Sequence, residues 1–393
     1  MADKKSSFAI QRSLFSEAHD QFRDGVRRFV DKELAPHHAT WEKAGIVPRD
    51  IWLAAGTMGM LCPNIPEEYG GAGGDWRYNI VVIEELARAG ITGPGFMIHS
   101  EMVAPYITAW GSEAIKKKWL PRMVSGEAIG SLGITEPGAG SDAKMIQTSA
   151  SRDGDHYVIN GQKVYISNGG QSDIVVTACK TDPKAGAKGV SLIVVETDTP
   201  GFKRGRLLDK IGNKGQDTAE LFYDNVRVPE DNRLGEENHG FSMMMTELAQ
   251  ERLAQAVRGI AGAEVAIEWT VDYTSQRKAF GGTIADFQNT QFVLAGLSAE
   301  TTSVRVFVDW CIERFMSGEL TPVDAAKAKL LATDLHCKTV DHCMQFFGGY
   351  GYMTEYPIAR AFIDARVTRI AGGASEVMKQ IIARDLFGAN AKT

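Results

Sequence analysis

The chain of 393 residues has a net charge of −6, from 43 Lys and Arg against 49 Asp and Glu, and 44% of its residues are hydrophobic. This length exceeds the size at which one hydrophobic core usually keeps growing, so two or three packed units are expected. The acidic balance argues against a nucleic-acid partner, and no stretch approaches the roughly 18 uninterrupted apolar residues of a membrane span.

The sequence favours an intracellular protein with reduced cysteines and no metal site. The opening residues lack the apolar run of a secretory signal peptide, which predicts a soluble, intracellular protein. The five cysteines are unpaired in spacing, as is typical of reduced thiols packed as small hydrophobes. The eight histidines show no metal-ligand spacing, so no metal is expected.

The first third of the sequence has the periodicity of helices. Ser16 to Leu34 carries apolar residues at helical spacing and stops before Pro36, and Tyr78 to Ala89 is a second such segment. Between them, Pro63 to Trp76 is rich in Gly and Pro, which predicts a loop. Its glycines do not follow a strand, so they are a poor match to a dinucleotide-binding fingerprint.

From Gly130 onward the sequence changes to short β-branched runs separated by turn residues, which predicts a small all-β module. The runs are Tyr157–Ile159, Val164–Ile166, Ile174–Val176 and Leu192–Val195. After Gly240 helical periodicity returns over Phe241–Phe280, Ile284–Ser317, Pro322–Phe347 and Ala374–Leu386. The predicted organisation is therefore helical, then β, then helical.

Two glycine clusters leave their role open. Thr135 to Asp142 puts glycines beside hydroxyls, a form that lets backbone amides approach a polar ligand, although a plain surface turn looks much the same. Gly348 to Tyr352 ends a predicted helix, where glycine also serves as a cap.

Several long motifs in a fixed order together resemble the acyl-CoA dehydrogenase family over nearly the whole chain. They are Ile134–Asp142, Asn160–Lys163, Tyr165–Gly169, Asp217–Phe222, Val226–Pro229, Arg277–Gly281 and Gln345–Pro357. The resemblance implies a multidomain α+β fold with a helical N-terminal domain (1–128), a middle β-barrel (129–237) and a C-terminal four-helix bundle (238–393). It also implies a homotetramer, arranged as a dimer of dimers.

The same resemblance implies FAD as cofactor, held between barrel and bundle and completed by a neighbouring subunit. Ser167 takes the place of a family threonine that bonds flavin N5, and it keeps the hydroxyl. Arg277 is expected at the pyrophosphate, where its guanidinium suits two phosphate oxygens; a solvated basic pair with Lys278 is the alternative. The matching cofactor positions are Leu132, Ile134, Thr135, Gly140, Ser141, Tyr165, Ile166, Ser167, Arg277, Phe280, Gln288, Gln345, Gly348, Gly349, Ala374 and Glu376.

The reaction implied by the family removes an α-proton from a thioester while a hydride leaves Cβ, which requires a carboxylate base. Many members carry that carboxylate where this chain has Gly372, which cannot take a proton. The long-chain and isovaleryl branches carry it on a helix instead, and Leu248 to Leu253 resembles their motif. Glu251 is therefore the predicted base, with Met244 and Leu248 on the same helix face.

Two other carboxylates remain rivals for the role of base, Glu247 one turn earlier and Glu376 near the expected FAD adenosine. The alternative for Glu251 itself is that it is solvated at the edge of the apolar helix face and has no catalytic role. Arg252 matches a residue that contacts the CoA portion, whereas Ala249 replaces an acidic partner. The expected substrate-binding residues are Ser141, Met244, Leu248, Arg252, Ala371 and Gly372.

The motifs around Lys210 and Glu251 look most like the long-chain branch, so a long-chain or branched acyl-CoA is the expected substrate. Electron-transferring flavoprotein is the expected acceptor, in a bacterial cytoplasm or a mitochondrial matrix. Two alternatives stay open: an acyl-CoA oxidase that passes electrons to oxygen, and a non-catalytic scaffold that keeps the fold.

Overall fold

The computed structural model of the chain describes residue 10 and residues 12–388. These residues cluster into two compact units. The helical unit comprises the described residues up to Asp24, Ile80–Ile91 and residues 249–388, and the sheet unit comprises Gly25–Asn79 and Thr92–Leu248. Both units are built from separate stretches of sequence, and the predicted domain bounds remain a prediction.

The first third of the chain is helical, as its periodicity predicts. The first helix continues into a π-helical segment, Val30–Leu34, and a second π-helical segment, Ile98–Val103, precedes the fifth. Acidic residues in the first turn and basic residues in the last turn of the first helix complement its dipole. The helices are α1 (Glu17–Phe29), α2 (His38–Ala44), α3 (Arg49–Thr57), α4 (Trp76–Arg88), α5 (Ala104–Trp110) and α6 (Glu113–Ser125).

The centre of the sheet unit is an eight-stranded mixed sheet. Its path is β6-β7-β3-β2-β4-β5-β8, with β1 parallel to β4. The strands are β1 (Gly130–Gly133), β2 (Ser149–Asp153), β3 (His156–Ser167), β4 (Ile174–Lys180), β5 (Val190–Glu196), β6 (Phe202–Leu207), β7 (Thr218–Pro229) and β8 (Arg233–Leu234).

Both faces of β4 and β5 are buried, which explains their unbroken apolar runs. Val175 and Val195 join one apolar cluster with residues of β2, β3, β6 and β7, so strands from both halves of the sheet share this core. The alternate residues Val176 and Val194 pack in a second cluster with side chains of α5 and α6.

Two runs predicted as separate strands form one long strand. Tyr157–Ile159 and Val164–Ile166 both belong to β3, which pairs with β7 through two register shifts. Gly161 lies at the first shift with φ of 151°, and a Cβ atom there would lie 2.5 Å from Thr148 Oγ1. Gly161 therefore marks a bulge within a strand, where the sequence predicts a break between strands.

Long helices return after the sheet. Helix α9 begins with Thr321 as its N-cap, which accepts from the Asp324 amide, and with Pro322 at the first position. A short hairpin of β9 (Lys278–Ala279) and β10 (Gly282–Thr283) interrupts the helices. The helices are α7 (Gly240–Gln276), α8 (Gln288–Met316), α9 (Pro322–Phe346), α10 (Pro357–Ala365) and α11 (Ser375–Phe387). Over residue 10 and residues 12–388, none of the helices combines the length and apolar character that crossing a membrane requires.

A buried ion-pair network ties the separate stretches of the helical unit together. Glu84 on α4 accepts from Arg12 at 2.8 Å and from Arg305 on α8 at 2.9 Å, and it pairs with Arg23 at 2.9 Å. Arg305 also forms a two-pronged bond with Glu264 on α7 at 2.8 and 2.7 Å. Burial alone would raise the pKa of Glu84, but Arg12, Arg305 and Arg23 hold it well below its usual range.

Replacing this carboxylate should destabilise the protein in a pH-dependent way. Because Glu84→Gln leaves three buried or half-buried arginines less compensated, we expect a loss of about 3 kcal/mol in the free energy of unfolding at pH 7. A carboxylate whose pKa is lower in the folded state than in the unfolded state stabilises the fold at pH values above its unfolded-state pKa. That contribution is lost as the pH falls through the folded-state pKa. The gap between wild type and variant should therefore shrink below about pH 4.5, as urea denaturation from pH 7 to pH 3 will measure.

The matched control is Glu300→Gln, which removes a carboxylate of a pair on the protein surface with Lys338. A surface pair contributes little, so this variant should stay close to wild type at every pH. Equal effects of the two substitutions would contradict the assigned role of Glu84.

Candidate active site

A buried ion pair fixes the glycine-containing loop after β1 on the sheet. Lys163 of β3 donates from Nζ to Glu136 Oε1 at 2.7 Å and to the Ala178 carbonyl at 2.8 Å. Glu136 also accepts from the amides of Gln147 at 2.6 Å and Thr148 at 3.0 Å. Burial alone would raise the pKa of Glu136, but Lys163 and these hydrogen bonds hold it below its usual range.

The anchored loop runs beside the end of β3, where polar groups and an aromatic side chain are open to solvent. The Val164 amide donates to the Thr135 carbonyl at 3.0 Å. Tyr165 is 68% exposed and has φ of 61°, an uncommon conformation for a bulky residue that is often found at functional sites. Ser167 is half-buried next to it. The structure therefore places the backbone of Thr135 beside the strand that carries Tyr165 and Ser167.

The other predicted residues of this edge differ in accessibility. Leu132 and Ile134 are partly buried against the apolar cluster under the sheet. Gly140 and Ser141 are exposed, and a Cβ atom at Gly140 would meet nothing within 4 Å. Ile166 is buried in an apolar core of the sheet unit, so its side chain is not available to a ligand.

The predicted base lies inside the helical unit. Glu251 on α7 is only 4% exposed, and Arg252 beside it is also buried. Burial lowers the pKa of Arg252, and the Glu251 carboxylate opposes that shift. Arg252 Nε and Gln255 Oε1 are buried and have no hydrogen-bond partner among the described residues. Unsatisfied polar atoms beside a buried carboxylate are suited to a polar ligand.

The glycine loop predicted to contact substrate packs against this turn of α7. Gly372 and Gly373 have φ of 66° and 96°, which favour glycine. A Cβ atom at Gly372 would lie 3.6 Å from Gln255 Cγ. Ala371 and Ala374 are half-buried, so the loop places small residues beside the carboxylate-bearing helix.

The rival carboxylates have different surroundings. Glu247 is half-buried and accepts from Trp110 Nε1 at 3.2 Å. Burial raises the pKa of Glu247, and the hydrogen bond from Trp110 opposes the shift. Glu376 is exposed in the first turn of α11. On the same helix as Glu251, Met244 is buried and Leu248 is half-buried.

The remaining predicted cofactor residues form an exposed edge of the helical unit. Phe280 is 97% exposed with φ of 52°, and Arg277 lies 5.5 Å from the centre of the Tyr350 ring. Gln288, Gln345, Gly348 and Gly349 are also exposed. In the part of the chain that the structure describes, no group of three or more His, Cys, Asp or Glu side chains could hold a metal ion.

Comparison with known proteins identifies the family. Models of the acyl-CoA dehydrogenase N-terminal, middle and C-terminal domains match residues 16–127, 131–226 and 238–387. The chain belongs to the acyl-CoA dehydrogenase family. This fold has a helical N-terminal domain, a middle sheet domain and a helical C-terminal domain.

Individual members of the acyl-CoA dehydrogenase family are similar over nearly their full length. The mitochondrial long-chain specific acyl-CoA dehydrogenase of Sus scrofa is 47% identical over 98% of this chain and 90% of its own. An acyl-CoA dehydrogenase structure from Geobacillus kaustophilus is 46% identical with a TM-score of 0.94, over 96% of this chain and 100% of its own. A glutaryl-CoA dehydrogenase structure from Mycobacterium smegmatis in complex with FADH2 is 28% identical with a TM-score of 0.90, over 97% of both chains.

Sequence reasoning missed the residues that hold these parts in place. Lys163 and Glu136 lie in motifs that the sequence singles out, yet no role was predicted for either. Their polar character inside otherwise ordinary strand and turn sequence is the signal that could have found them, since buried charges are paired. Lys329 on α9, which donates to the Gly373 carbonyl at 2.6 Å, was also missed.

Removing the charge of Glu136 should loosen the loop that it anchors. Because Glu136→Gln leaves the fully buried Lys163 without a counter-charge, we expect a loss of about 3 kcal/mol in the free energy of unfolding. Hydrogen exchange should also become faster at the amides of Gln147 and Thr148. Urea denaturation and exchange measured by mass spectrometry check both outcomes.

The matched control is Glu230→Gln, which breaks an exposed pair with Arg152 in the same unit. It should alter neither the exchange of the loop nor, by much, the stability. Unchanged exchange in Glu136→Gln would show that the pair does not anchor the loop.

Proposed function

We propose that this chain is an FAD-dependent acyl-CoA dehydrogenase that uses Glu251 as base to form a double bond between Cα and Cβ of an acyl-CoA. The observation that carries the proposal is the buried carboxylate of Glu251, one helix turn before Gln255, which packs against Gly372, a residue with no side chain to serve as base. Family membership and the FADH2 bound to a similar glutaryl-CoA dehydrogenase support the cofactor.

The residues at the end of β3 fit a flavin. A flavin needs an apolar surface with hydrogen-bonding groups along its edge, and Leu132, Thr135 and Ser167 offer both kinds of group. The exposed Tyr165 and the open space at Gly140 leave room for a large planar group. We propose that these residues hold the isoalloxazine, and that Arg277, Phe280, Gln288, Gln345 and the Gly348–Gly349 pair reach the FAD of a neighbouring subunit in a homotetramer.

The chain's own residues would supply the proton chemistry. When FAD is bound it accepts the hydride from Cβ. Glu251 accepts the α-proton, and its buried position keeps water away from the carboxylate and favours proton transfer. Arg252, with its unsatisfied buried Nε, binds the CoA portion of the substrate, and the Gly372 loop packs beside the reacting thioester.

The substrate class follows from the relatives and from the small residues of the loop. Similarity to a long-chain specific acyl-CoA dehydrogenase favours a long-chain acyl-CoA. Ala371 stands where many family members carry a bulkier residue, which favours long or branched chains. Met244 and Leu248 contribute apolar surface on the helix that carries the base.

Electron-transferring flavoprotein is the proposed acceptor, and the product is the trans-2-enoyl-CoA. The compartment we propose is a bacterial cytoplasm or a mitochondrial matrix, and the Sus scrofa relative is named as a mitochondrial protein. An oxidase would differ only in passing its electrons to oxygen. Comparing how fast the reduced protein is reoxidised by air and by electron-transferring flavoprotein separates the two activities.

An anaerobic titration with short, long and branched acyl-CoAs tests the proposal through bleaching of the flavin absorbance. Wild type should bleach most readily with long or branched substrates. Glu251→Gln should retain FAD but reduce it about 10³-fold more slowly, because general base catalysis contributes roughly 10²–10⁴-fold. Stopped-flow absorbance measures the rate constants.

Glu247→Gln is the matched control, because it neutralises a carboxylate one turn earlier on the same helix. It should bleach at a rate within a few-fold of wild type. Equal bleaching in Glu251→Gln and wild type would move the base elsewhere, and no bleaching of wild type with any acyl-CoA would favour a non-catalytic scaffold.

A further inference from the structure

The loop that precedes α11 and contains Gly372 and Gly373 is held by one neighbouring helix, α9. Lys329 Nζ of α9 donates to the Gly373 carbonyl at 2.6 Å. Five residues further along α9, Asp334 Oδ1 accepts from Arg369 Nε at 2.6 Å and from Ser375 Oγ at 3.2 Å. Helix α9 thus contacts the loop before, within and after its two glycines.

The loop needs such contacts because its glycines do not fix their own conformation. Gly372 and Gly373 both have positive φ, a region that glycine enters at little cost but also leaves easily. The loop packs on α7 at Gln255, one turn after Glu251. Any shift of its backbone therefore changes the packing against the helix turn that follows Glu251.

We propose that Lys329 is a positioning residue for the dehydrogenation, which acts by fixing the Gly372–Gly373 backbone beside Glu251, with Asp334 holding the two ends of the same loop. The inference rests on the proposed function, since it assigns Lys329 a part in that reaction. Lys329 itself touches neither the reacting atoms nor the flavin in this account.

A stabilising role is a poor explanation for a lysine in this place. Its side chain is 0% exposed, and burying an ammonium group costs more than burying an apolar side chain of the same volume. A methionine would fill the same space without that cost. The lysine offers a directional, charge-assisted donor to a carbonyl, which a methionine cannot provide.

The charges around Lys329 come from each element packed against it. Burial lowers the pKa of Lys329 to about 8. Asp334 on α9 and Glu376 on α11 favour the charged form, whereas Arg252 on α7 and Arg369 before the loop disfavour it. The ammonium form, which makes the stronger hydrogen bond to Gly373, is therefore present below about pH 8 and is lost as the pH rises through that value.

The test is the rate constant of flavin reduction by a long-chain acyl-CoA, measured anaerobically by stopped flow from pH 6.5 to pH 9.5. At neutral pH Lys329→Met should reduce its flavin about 10- to 100-fold more slowly than wild type, the range expected for a misplacement of about 1 Å. The apparent Kd for the acyl-CoA should change much less. Wild type should lose rate above about pH 8, and Lys329→Met should lack that alkaline limb.

Two further variants make the result specific. Lys327→Met removes a partly exposed lysine from the same helix, one that pairs with Asp324, and should behave as wild type. Asp334→Asn removes a charge that favours protonated Lys329, so its alkaline limb should move to lower pH. If Lys329→Met does not fold, the pH of the alkaline limb in Asp334→Asn tests the proposal without it.

A Lys329→Met enzyme with the rate and pH profile of wild type would overturn the proposal and leave the proposed function intact. An unmoved alkaline limb in Asp334→Asn would overturn it as well. Absence of bleaching in wild type would overturn the proposed function and the positioning role together.

Discussion

The candidate cofactor edge depends on one buried ion pair, between Lys163 and Glu136. A charge inside a protein is tolerated only when it is paired and hydrogen-bonded, and this pair meets that condition through carbonyls and amides of the surrounding backbone. In doing so it joins the loop after β1, strand β3 and strand β4. The hydroxyl of Ser167 and the strained Tyr165 lie at the end of the strand that this pair anchors.

The helical unit meets the same condition at Glu84. Glu84 gathers arginines from the start of the chain and from α8, and so connects stretches far apart in sequence. Around Glu251 the charges are arranged differently. Arg252 has a buried Nε without a hydrogen-bond partner among the described residues, and Lys329 donates to a backbone carbonyl instead of to a carboxylate. The ion pairs of Glu136 and Glu84 are satisfied within the fold, whereas the proposed catalytic turn has polar atoms, Arg252 Nε and Gln255 Oε1, that a ligand can bind.

Periodicity predicted the long helices well, because α8 and α9 bury residues at helical spacing and α7 is buried over most of its length from Gln250 to Ile267. It failed where long-range pairing decides the structure: Gly161 looks like a strand break but sits in a bulge that β7 stabilises. The motifs named Ser167 and Glu251. A lysine within a strand can be noticed in the sequence, but the partners of Lys163 and Lys329 cannot be identified there, since they lie 27 and 44 residues away. The exposed Phe280 and Arg277 acquire a role only if another subunit covers them.

An experimental structure of the FAD-loaded enzyme with a non-reducible long-chain acyl-CoA analogue would identify the base directly. We expect a Glu251 carboxylate oxygen about 3–3.5 Å from the α-carbon, a distance from which proton transfer is possible. A structure with Glu247 or Glu376 at that distance, and Glu251 turned away from the thioester, would contradict it.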